Sequence, residues 1–407
     1  MKGRVSKTET GDKKQMITKE LIVRIFSAAN ILRWNDHIRP FDFFELDKQA
    51  HKMIIAYIVA KFEEDEGREI DWIKLIECGI FEFFQRIMLT DLKPEVFHEL
   101  MSKKEKELNN WVMENLKEDL SALGCGIKER FEKYFFDSGY AAFEKRILSS
   151  AHALSTKWEF GIIYPWNAML YGIEKTKQEI DETIAGFDDL SGIRKLMINK
   201  KYYGFLDLCG QLRFQQRWAQ AFRIPKTTVL GHMLIVAIFS YIFSREMKVS
   251  EKRVYNNFYS SLFHDLPEIL TKDIIRPIKS SIDGLEEIIK IYENKQVDER
   301  ILPLIPESWH EEMKYFVQNE FSDKIIENGK VTEVKDLTNY DDNKYNAVDG
   351  TLTERCDKFC AYIEASIALE YGIKSETLIQ SKQALYDKYS GLSKNNINFK
   401  KLYDYFK

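Results

Sequence analysis

Residues 261–273 read SLFHDLPEILTKD and place His264, Asp265, Glu268 and Asp273 within ten positions. The surrounding sequence is mostly apolar and aromatic, and a proline within the stretch interrupts any helix that enters it. Two interpretations follow from these residues alone. The stretch is either part of a metal site or an ordinary polar turn at the end of a helix.

The composition describes a globular protein with a small partner. The chain has 407 residues, and single cores stop growing at about 250–300 residues, so the length predicts two domains. Hydrophobic residues make up 44% and charged residues 30% of the chain. The net charge of −4 gives no electrostatic reason to expect a nucleic acid or a membrane as partner.

The cysteines and the N-terminal segment indicate a cytoplasmic protein. Five scattered cysteines are typical of reduced thiols rather than of a disulfide framework. Residues 1–17 are basic but lack the apolar core of a signal peptide, so we expect a flexible tail. The apolar run MLIVAIFSYIF at 233–243 is about half as long as a membrane span and is predicted to be a buried helix.

Apolar residues recur at three- and four-residue spacing, and the chain contains only eight prolines, so we predict an all-α fold. Turn-forming residues at 328–350 predict an insertion loop around 324–350 that includes a short hairpin, and LPLIP at 302–306 predicts a break. Four segments fit helices especially well: LIVRIFSAANILRW (21–34), AHKMIIAYIVAKF (50–62), FEKRILSSAHALSTKW (143–158) and CDKFCAYIEASIALEYG (356–372).

Two parts of the chain resemble each other at a spacing of 181 residues. AHKMIIAYIVAKF begins one residue before His51, and GHMLIVAIFSYIF begins one residue before His232. The same spacing carries Leu89-Thr90 onto Leu270-Thr271. This pattern predicts two tandem copies of one helical unit. The alternative is that two apolar helices align by chance, because periodic helices align easily.

The first copy, if it exists, has lost the polar residues of the second. At this spacing Phe83-Phe84 stands opposite the His-Asp pair, and Ile87 stands opposite the glutamate. The predicted organisation is a tail, a degenerate copy, a connecting segment and an intact copy: 1–17, 18–160, 161–196 and 197–407. Whether 154–196 is a linker or belongs to the first core stays open.

The second half contains a candidate donor set for a divalent transition metal, formed by His232, His264, Asp265 and Asp357. Neutral imidazole and carboxylate ligands suit manganese, cobalt, nickel, iron or zinc. A lone histidine on an apolar helix is more often a core residue. The interpretation of His232 as a metal ligand therefore depends on the presence of the His-Asp pair. Asp357 competes with aspartates of the predicted loop, but it lies on a predicted helix.

This H…HD…D pattern resembles the HD-domain phosphohydrolases. HDLPEILTKD followed by IIRPIK at 274–279 is similar to bacterial and archaeal HD nucleotidases that act on deoxyribonucleoside 5′-monophosphates. That subfamily carries an Arg-Trp pair fifteen residues before its first metal histidine, and Arg217-Trp218 stand at this spacing from His232. The resemblance covers about residues 205 to 372 and implies an HD-domain helical bundle.

The chain departs from the subfamily pattern at three places. Gly231 replaces the glutamate before the first histidine, and Lys272 replaces a glycine. Asp357 follows Asp273 by 84 residues, a longer gap than the family typically has, and the predicted loop lies inside it. These departures leave the metal ligands in place but weaken inferences about the substrate.

The resemblance implies a role for each candidate residue. One metal ion per chain would bind the four ligands, Arg217 would bind phosphate, and Trp218 would form an apolar wall against the sugar. Glu268 would act as a catalytic acid or base, and Asp273 would orient water or the sugar hydroxyl. Their ordinary alternatives are a surface Arg-Trp pair and solvated carboxylates. Arg276 and Lys279 would add positive charge or simply face solvent.

The function implied is release of the 5′-phosphate from a deoxyribonucleoside monophosphate. Two other classes share the metal ligands: HD triphosphohydrolases acting on deoxyribonucleoside triphosphates and phosphodiesterases acting on cyclic nucleotides. A nucleotide-sensing regulatory protein without turnover is a third possibility. The resembling nucleotidases are homodimers, so we expect this chain to be a monomer whose first copy stands where a second subunit would be.

Overall fold

A computed structural model of the chain describes residues 16–90, 94–271, 284–394 and 397–407. These residues are predominantly helical, and the strands among them form three short antiparallel pairs. The predicted all-α fold is confirmed.

The first part of the described chain consists of helices joined by short connections. The helices are α1 (Lys19–Ser27), α2 (Glu45–Asp65), α3 (Trp72–Leu89), α4 (Pro94–Asn115), α5 (Lys117–Leu123), α6 (Ile127–Phe136), α7 (Ala142–Asn167), α8 (Ile173–Ala185), α9 (Ser191–Ile198) and α10 (Lys200–Gln211). Strand β1 (Leu32–Arg33) pairs with β2 (Phe43–Phe44) just before α2.

The second part continues the helical bundle and adds two hairpins. Its helices are α11 (Val229–Met247), α12 (Glu251–Phe263), α13 (Glu268–Thr271), α14 (Leu285–Gln296), α15 (His310–Val317), α16 (Gly350–Glu370), α17 (Glu376–Tyr389) and α18 (Phe399–Asp404). The strands are β3 (Lys324–Glu327) with β4 (Lys330–Glu333), and β5 (Ser393–Lys394) with β6 (Ile397–Asn398).

Helix α11 is the buried helix that the apolar run predicted. It packs against α2, α12 and α16, and its N-terminus is capped by Thr228, whose hydroxyl accepts a hydrogen bond from the Gly231 N–H. By length and composition α11 could cross a membrane, but 89% of this apolar window is buried inside the protein. Such burial on all sides is typical of a core helix.

Helices α2 and α11 cross closely at their first turns, and Gly231 makes this approach possible. A Cβ atom at this glycine would lie 2.8 Å from Oδ1 of Asp47 and 2.9 Å from Cδ2 of Leu46. The hydroxyl of Thr228 donates a hydrogen bond to the same Asp47 oxygen. A larger residue at position 231 would require the Leu46 and Asp47 side chains to move, so the packing against α2 favours the glycine that this chain has there.

One cluster of buried apolar side chains runs through both predicted copies. It includes Leu21 and Ile54 from the first part of the chain and Ile238, Phe258 and Tyr403 from the second. The copies therefore share a core across the α2–α11 contact. The division into two copies stays a prediction.

The helix predicted at 21–34 is only partly correct. Helix α1 ends at Ser27, a 3-10 turn spans Ala28–Asn30, and Leu32–Arg33 forms strand β1. Trp34 then has a φ of 55°, which no α-helix accommodates. The apolar periodicity continues past the helix because the strand residues also face the protein interior.

The segment predicted to connect the copies, 161–196, is mostly helical. Helix α7 continues to Asn167, so the predicted boundary after residue 160 lies inside a helix. Helices α8 and α9 follow, and α9 packs against α2. Gly192 allows this contact, since a Cβ atom there would lie 2.8 Å from Cα of Val59.

The predicted insertion begins with the β3–β4 hairpin and ends where Lys324 pairs with Val348 in an isolated bridge. At the predicted break, Leu302–Leu304 forms a 3-10 turn. The hairpin and the break match the expectation from the turn-forming residues.

The carboxyl group of Asp47 lies at the point where α2 and α11 cross. Its side chain is buried, and this burial raises the pKa of the carboxyl group to about 6. A carboxyl group whose pKa is higher in the folded than in the unfolded chain binds its proton more tightly when folded. The ionised form therefore destabilises the fold, and this cost is fully present above about pH 6 and is lost as the pH falls toward 4.

We predict that Asp47→Asn stabilises the protein at pH 8, because the amide keeps the acceptor for Thr228 without a buried charge. The expected gain is on the order of 2 kcal/mol, and it should shrink as the pH falls to 5. Thermal unfolding midpoints at pH 5 to 8 measure it. Asp188→Asn, at an exposed position, is the control. A gain of equal size at every pH would contradict the prediction.

Candidate metal centre

His264 and Asp265 stand in the turn that ends α12. Helix α12 stops at Phe263, and the Glu268 N–H donates to the Asp265 carbonyl, 3.0 Å away, in the turn that follows. Pro267 cannot continue a helix because it lacks an N–H group. Nδ1 of His264 lies 2.7 Å from the Ser261 carbonyl oxygen. This hydrogen bond places the proton on Nδ1 and leaves the lone pair on Nε2.

The other two predicted ligands face this turn from α11 and α16. His232 stands in the first turn of α11, and its Nε2 lies 2.9 Å from Oδ1 of Asp357 on α16. Oδ2 of Asp265 lies 3.2 Å from Nε2 of His264 and 4.0 Å from Nε2 of His232. Residues from three separate helices, predicted as one donor set, thus lie close together.

This geometry fits a divalent transition metal. His232, His264 and Asp357 each offer a ligand atom, and these atoms all lie within 4.8 Å of one another. Nε2 of His264 is buried, and its 3.2 Å contact with Oδ2 of Asp265 does not have the geometry of a hydrogen bond. A buried nitrogen lone pair facing carboxylates is expected where a cation binds.

Electrostatics keep the candidate carboxylates in the form that a metal requires, but they act differently on His264. Burial would lower the pKa of His264, but the charge of Asp265 raises it above its ordinary value. Burial alone would raise the pKa of Asp265, but His264 and His232 hold it well below its ordinary value. Burial would also raise the pKa of Asp357, but Lys358, His232 and Arg217 lower it. Burial, together with Arg217, lowers the pKa of His232. The carboxylates are thus ionised and His232 is neutral, as metal ligation demands.

Arg217 lies beside both carboxylates. Its terminal nitrogens lie 3.7 Å from Oδ2 of Asp265 and 3.7 Å from Oδ1 of Asp357. Its Nε lies 3.4 Å from Oε2 of Glu364, which anchors the guanidinium group from the other side. The arginine predicted to bind phosphate therefore stands next to the predicted metal ligands.

Glu364 is a site residue that the sequence interpretation missed. It is 1% exposed and accepts hydrogen bonds from the Trp218 indole N–H, at 2.9 Å, and from the Thr227 hydroxyl. Burial would raise the pKa of Glu364, but Arg217 and Arg223 lower it to about 2. Glu364 follows Asp357 by seven residues, two helical turns, and this spacing is a signal that could have revealed it.

The segment that carries the candidate ligands is similar to a known family. Residues 209–386 match the family model described as HD domain. This match supports an HD domain at these residues. No curated protein matches the chain. HD domains generally bind divalent metals and hydrolyse phosphate esters, and the matched range contains all four predicted ligands.

Trp218 lies against small apolar side chains of the HD domain. Its indole packs against Ala221, Ala365 and Ala368 of the HD domain, while its N–H binds Glu364. The backbone at Trp218 has a φ of 58°, which turns the Arg-Trp pair toward α16. These contacts position Arg217, and the predicted contact with a sugar stays a prediction.

Lys358 is a second residue of the HD domain that was not anticipated. Its ammonium group pairs with Oδ2 of Asp357, and its side chain is 22% exposed. The ammonium group also lies 5.2 Å from the centre of the Phe321 ring. Nothing in its local sequence distinguishes Lys358 from the many other surface lysines.

Glu268 begins α13, one turn after Asp265. Its backbone carbonyl accepts a hydrogen bond from the Gln215 side chain at 3.0 Å, and one carboxylate oxygen is shielded from solvent. The predicted catalytic function of Glu268 stays a prediction. Asp273, Arg276 and Lys279 lie outside the described residues.

The competing aspartates of the insertion have structural contacts instead. Asp349 caps α16 and binds Arg253 at 2.7 Å and Lys394. Asp341 accepts a hydrogen bond from the Ser250 N–H at 2.9 Å. Asp357, in contrast, contacts His232, which supports its choice as the fourth ligand.

We predict that the native protein binds one divalent transition metal ion per chain, and that His264→Ala and Asp265→Ala both abolish this binding. Each substitution removes one of the four predicted donors, three of which offer ligand atoms within 4.8 Å of one another. Elemental analysis after dialysis measures the metal content. His310→Ala, which removes a histidine bonded to the Ile305 carbonyl, should keep the metal. Two ions per chain would refute the prediction.

Proposed function

We propose that the HD domain hydrolyses nucleotide phosphomonoesters and releases the 5′-phosphate from deoxyribonucleoside monophosphates. The observation that carries this proposal is the position of Arg217, whose guanidinium group faces two predicted metal ligands and is held from behind by Glu364. A planar, anchored guanidinium group next to a metal is well suited to phosphate oxygens.

The candidate ligands are His232, His264, Asp265 and Asp357. A divalent ion held by them would supply Lewis acidity toward a phosphoryl oxygen and toward water. The protein residues would supply positioning and proton transfer.

Arg217 would bind the phosphoryl oxygens and offset the negative charge that develops on them. In the structure its terminal nitrogens lie near Asp265 and Asp357, and a bound phosphate would take over these nitrogens as hydrogen-bond donors. Because Glu364 holds Nε, the guanidinium group would keep its orientation during this exchange. Lys358, beside Asp357, would add a second positive charge to the site.

Glu268 would transfer a proton between the attacking water and the leaving oxygen, and Asp273 would orient the water or the sugar hydroxyl. Two observations support this role for Glu268. It lies one turn after Asp265, and one of its carboxylate oxygens is shielded from solvent. The assignment of Asp273 rests on the resemblance of HDLPEILTKD to the nucleotidases.

The choice of a monophosphate substrate also rests on the resemblance to the nucleotidases. Arg217-Trp218 form a second part of that resemblance. One of the departures has a local cause, since Gly231 accommodates Leu46 and Asp47 of α2. It therefore carries no information against a monophosphate. The alternatives differ in their products. A triphosphohydrolase releases triphosphate, a phosphodiesterase yields a cleaved diester, and a sensor yields no product.

We predict that the purified protein releases inorganic phosphate from deoxyribonucleoside monophosphates only when a divalent transition metal is present. Activity should disappear after chelation and return with manganese or cobalt. A panel of mono-, tri- and cyclic nucleotides, read as phosphate, triphosphate or cleaved diester, measures the reaction. Activity that survives chelation would rule out the metal mechanism. Metal-dependent nucleotide binding without any product would favour the sensor.

We predict that Arg217→Lys lowers kcat/KM by about 100-fold, because an ammonium group cannot contact Glu364 and two phosphoryl oxygens with one fixed geometry. Metal content should stay at the wild-type value. Steady-state kinetics and elemental analysis on the same preparation measure both. Arg300→Lys, the same change at an exposed position, is the matched control. Unchanged kinetics in Arg217→Lys would remove Arg217 from the proposed reaction.

A further inference from the structure

A phenylalanine lies beside the candidate metal centre, in the turn that leads from α15 to strand β3. The turn reads QNEFSD (318–323), and Phe321 is the apolar residue among polar ones. Connecting segments of this kind are usually polar because they face water. Phe321 is nevertheless partly exposed, so its ring presents apolar surface to solvent next to charged groups.

The Phe321 ring contacts two residues of the centre. Its centroid lies 6.3 Å from the centroid of the His264 ring, with an angle of 49° between the two planes. Nζ of Lys358 lies 5.2 Å from the centre of the Phe321 ring, a cation–π distance. Lys358 in turn pairs with Asp357. Phe321 is therefore linked to two candidate ligands, to His264 directly and to Asp357 through Lys358.

Asp357 has different partners on its two carboxylate oxygens. Oδ1 lies 2.9 Å from Nε2 of His232 and 3.7 Å from a terminal nitrogen of Arg217. Oδ2 binds the ammonium group of Lys358. The proposed phosphate ligand Arg217 and the contact between Lys358 and Phe321 thus approach the centre from different sides of one carboxylate.

Solvent reaches the centre at the residues that border it. The side chain of His264 has no exposed area, but those of Asp265, Arg217 and Lys358 are 17%, 13% and 22% exposed. Phe321 is partly exposed as well. The accessible part of the centre is therefore bordered by a guanidinium group, an ammonium group and an aromatic ring.

The backbone around Phe321 is held tightly against the start of α16. A Cβ atom at Gly350 would lie 2.5 Å from the carbonyl carbon of Phe321. Oδ1 of Asp323 accepts a hydrogen bond from the Thr351 N–H at 2.9 Å. Helix α16 also carries Asp357, so the turn and this candidate ligand are joined through one helix. The ring is thus positioned before a ligand binds, and such preorganisation lowers the entropic cost of binding.

A phosphate ester held at Arg217 must direct its organic part away from the phosphoryl group. The Phe321 ring offers that part an aromatic surface at the edge of the centre. Nucleobases stack on aromatic side chains, and the stacking tolerates every base because each base has a π face. A phosphate ester without a base would gain much less from the same ring.

We propose that Phe321 is a binding residue for the nucleobase, so that the site selects phosphomonoesters that carry a base without distinguishing among the four bases. The ring stacks on the base while Arg217 holds the phosphate. This inference rests on the proposed function, because it requires a phosphomonoester at Arg217, and it adds the class of organic group that the site accepts.

The alternative role for Phe321 is to cover neighbouring side chains. A covering role predicts that loss of the ring lowers the stability of the protein and affects all ligands equally. A binding role predicts that loss of the ring weakens ligands that carry a base and leaves inorganic phosphate unaffected. The two roles are therefore distinguished by a pair of ligands.

The test measures binding, so that it does not depend on turnover. Full-length protein with excess manganese is titrated by calorimetry with inorganic phosphate and with a 5′-phosphonate analogue of deoxyadenosine monophosphate, whose phosphorus–carbon bond resists hydrolysis. We expect the wild-type protein to bind the analogue at least about tenfold more tightly than phosphate, because the base adds a stacking contact.

Two variants test the ring itself. Phe321→Leu keeps an apolar side chain without an aromatic face and should raise the Kd of the analogue about tenfold, with the Kd of phosphate unchanged. Phe321→Tyr keeps the aromatic face and should bind the analogue within about threefold of wild type. Phe136→Leu, the same loss of a ring at an exposed position on α6, is the matched control. Thermal unfolding confirms that each variant is folded.

The four deoxyribonucleoside phosphonates test the tolerance for different bases. Their Kd values for the wild-type protein should lie within about tenfold of one another, since stacking does not read the hydrogen-bonding edge of a base. A preference of more than about 100-fold for one base would contradict recognition by stacking.

An equal rise in the Kd of the analogue and of phosphate in Phe321→Leu would overturn the inference, because the ring would then act on the phosphate site or on the fold. Unchanged affinity for the analogue in this variant would overturn it as well, as would a wild-type protein that does not bind the analogue. A selective loss of the analogue in a protein that releases no phosphate from any monophosphate would instead refute the proposed hydrolysis and leave the base contact in place.

Discussion

The buried carboxylate of Glu364 is the constraint on which the candidate site depends. Removing a carboxylate from water is costly unless hydrogen bonds and cations replace the water. Here Trp218, Thr227 and two arginines supply that replacement, and all of them lie in the segment between α10 and α11. The contacts with Glu364 therefore hold the segment between α10 and α11 in one conformation, and this conformation places Arg217 beside the predicted metal ligands.

The sequence predicted most of the helices and the four-residue donor set. Helices could be predicted because apolar spacing reports which face is buried, and the His-Asp dipeptide could be recognised because two ligands are adjacent. Asp357 was preferred to the loop aspartates because it lies on a predicted helix, and the structure places it beside His232.

Other features could not be predicted because their signals are not local. Glu364 and Lys358 are single charged residues whose importance appears only when α16 packs against Arg217 and Asp357. The strand after α1 has a helix-like apolar pattern, and only the positive φ at Trp34 shows where the helix cannot continue. The repeat itself stays a prediction, since helical periodicity constrains faces and not residue identities.

The hydrogen bond from Thr228 to Asp47 has a thermodynamic consequence for the candidate metal centre. Asp47 lies in the first turn of α2, and Thr228 caps the helix whose first turn bears His232. The first turns of α2 and α11 are thus joined through a contact too tight even for a Cβ atom at Gly231. A ligand that shifts one of these turns must work against the other. The affinity of such a ligand would therefore depend on how the N-terminal half packs against α11.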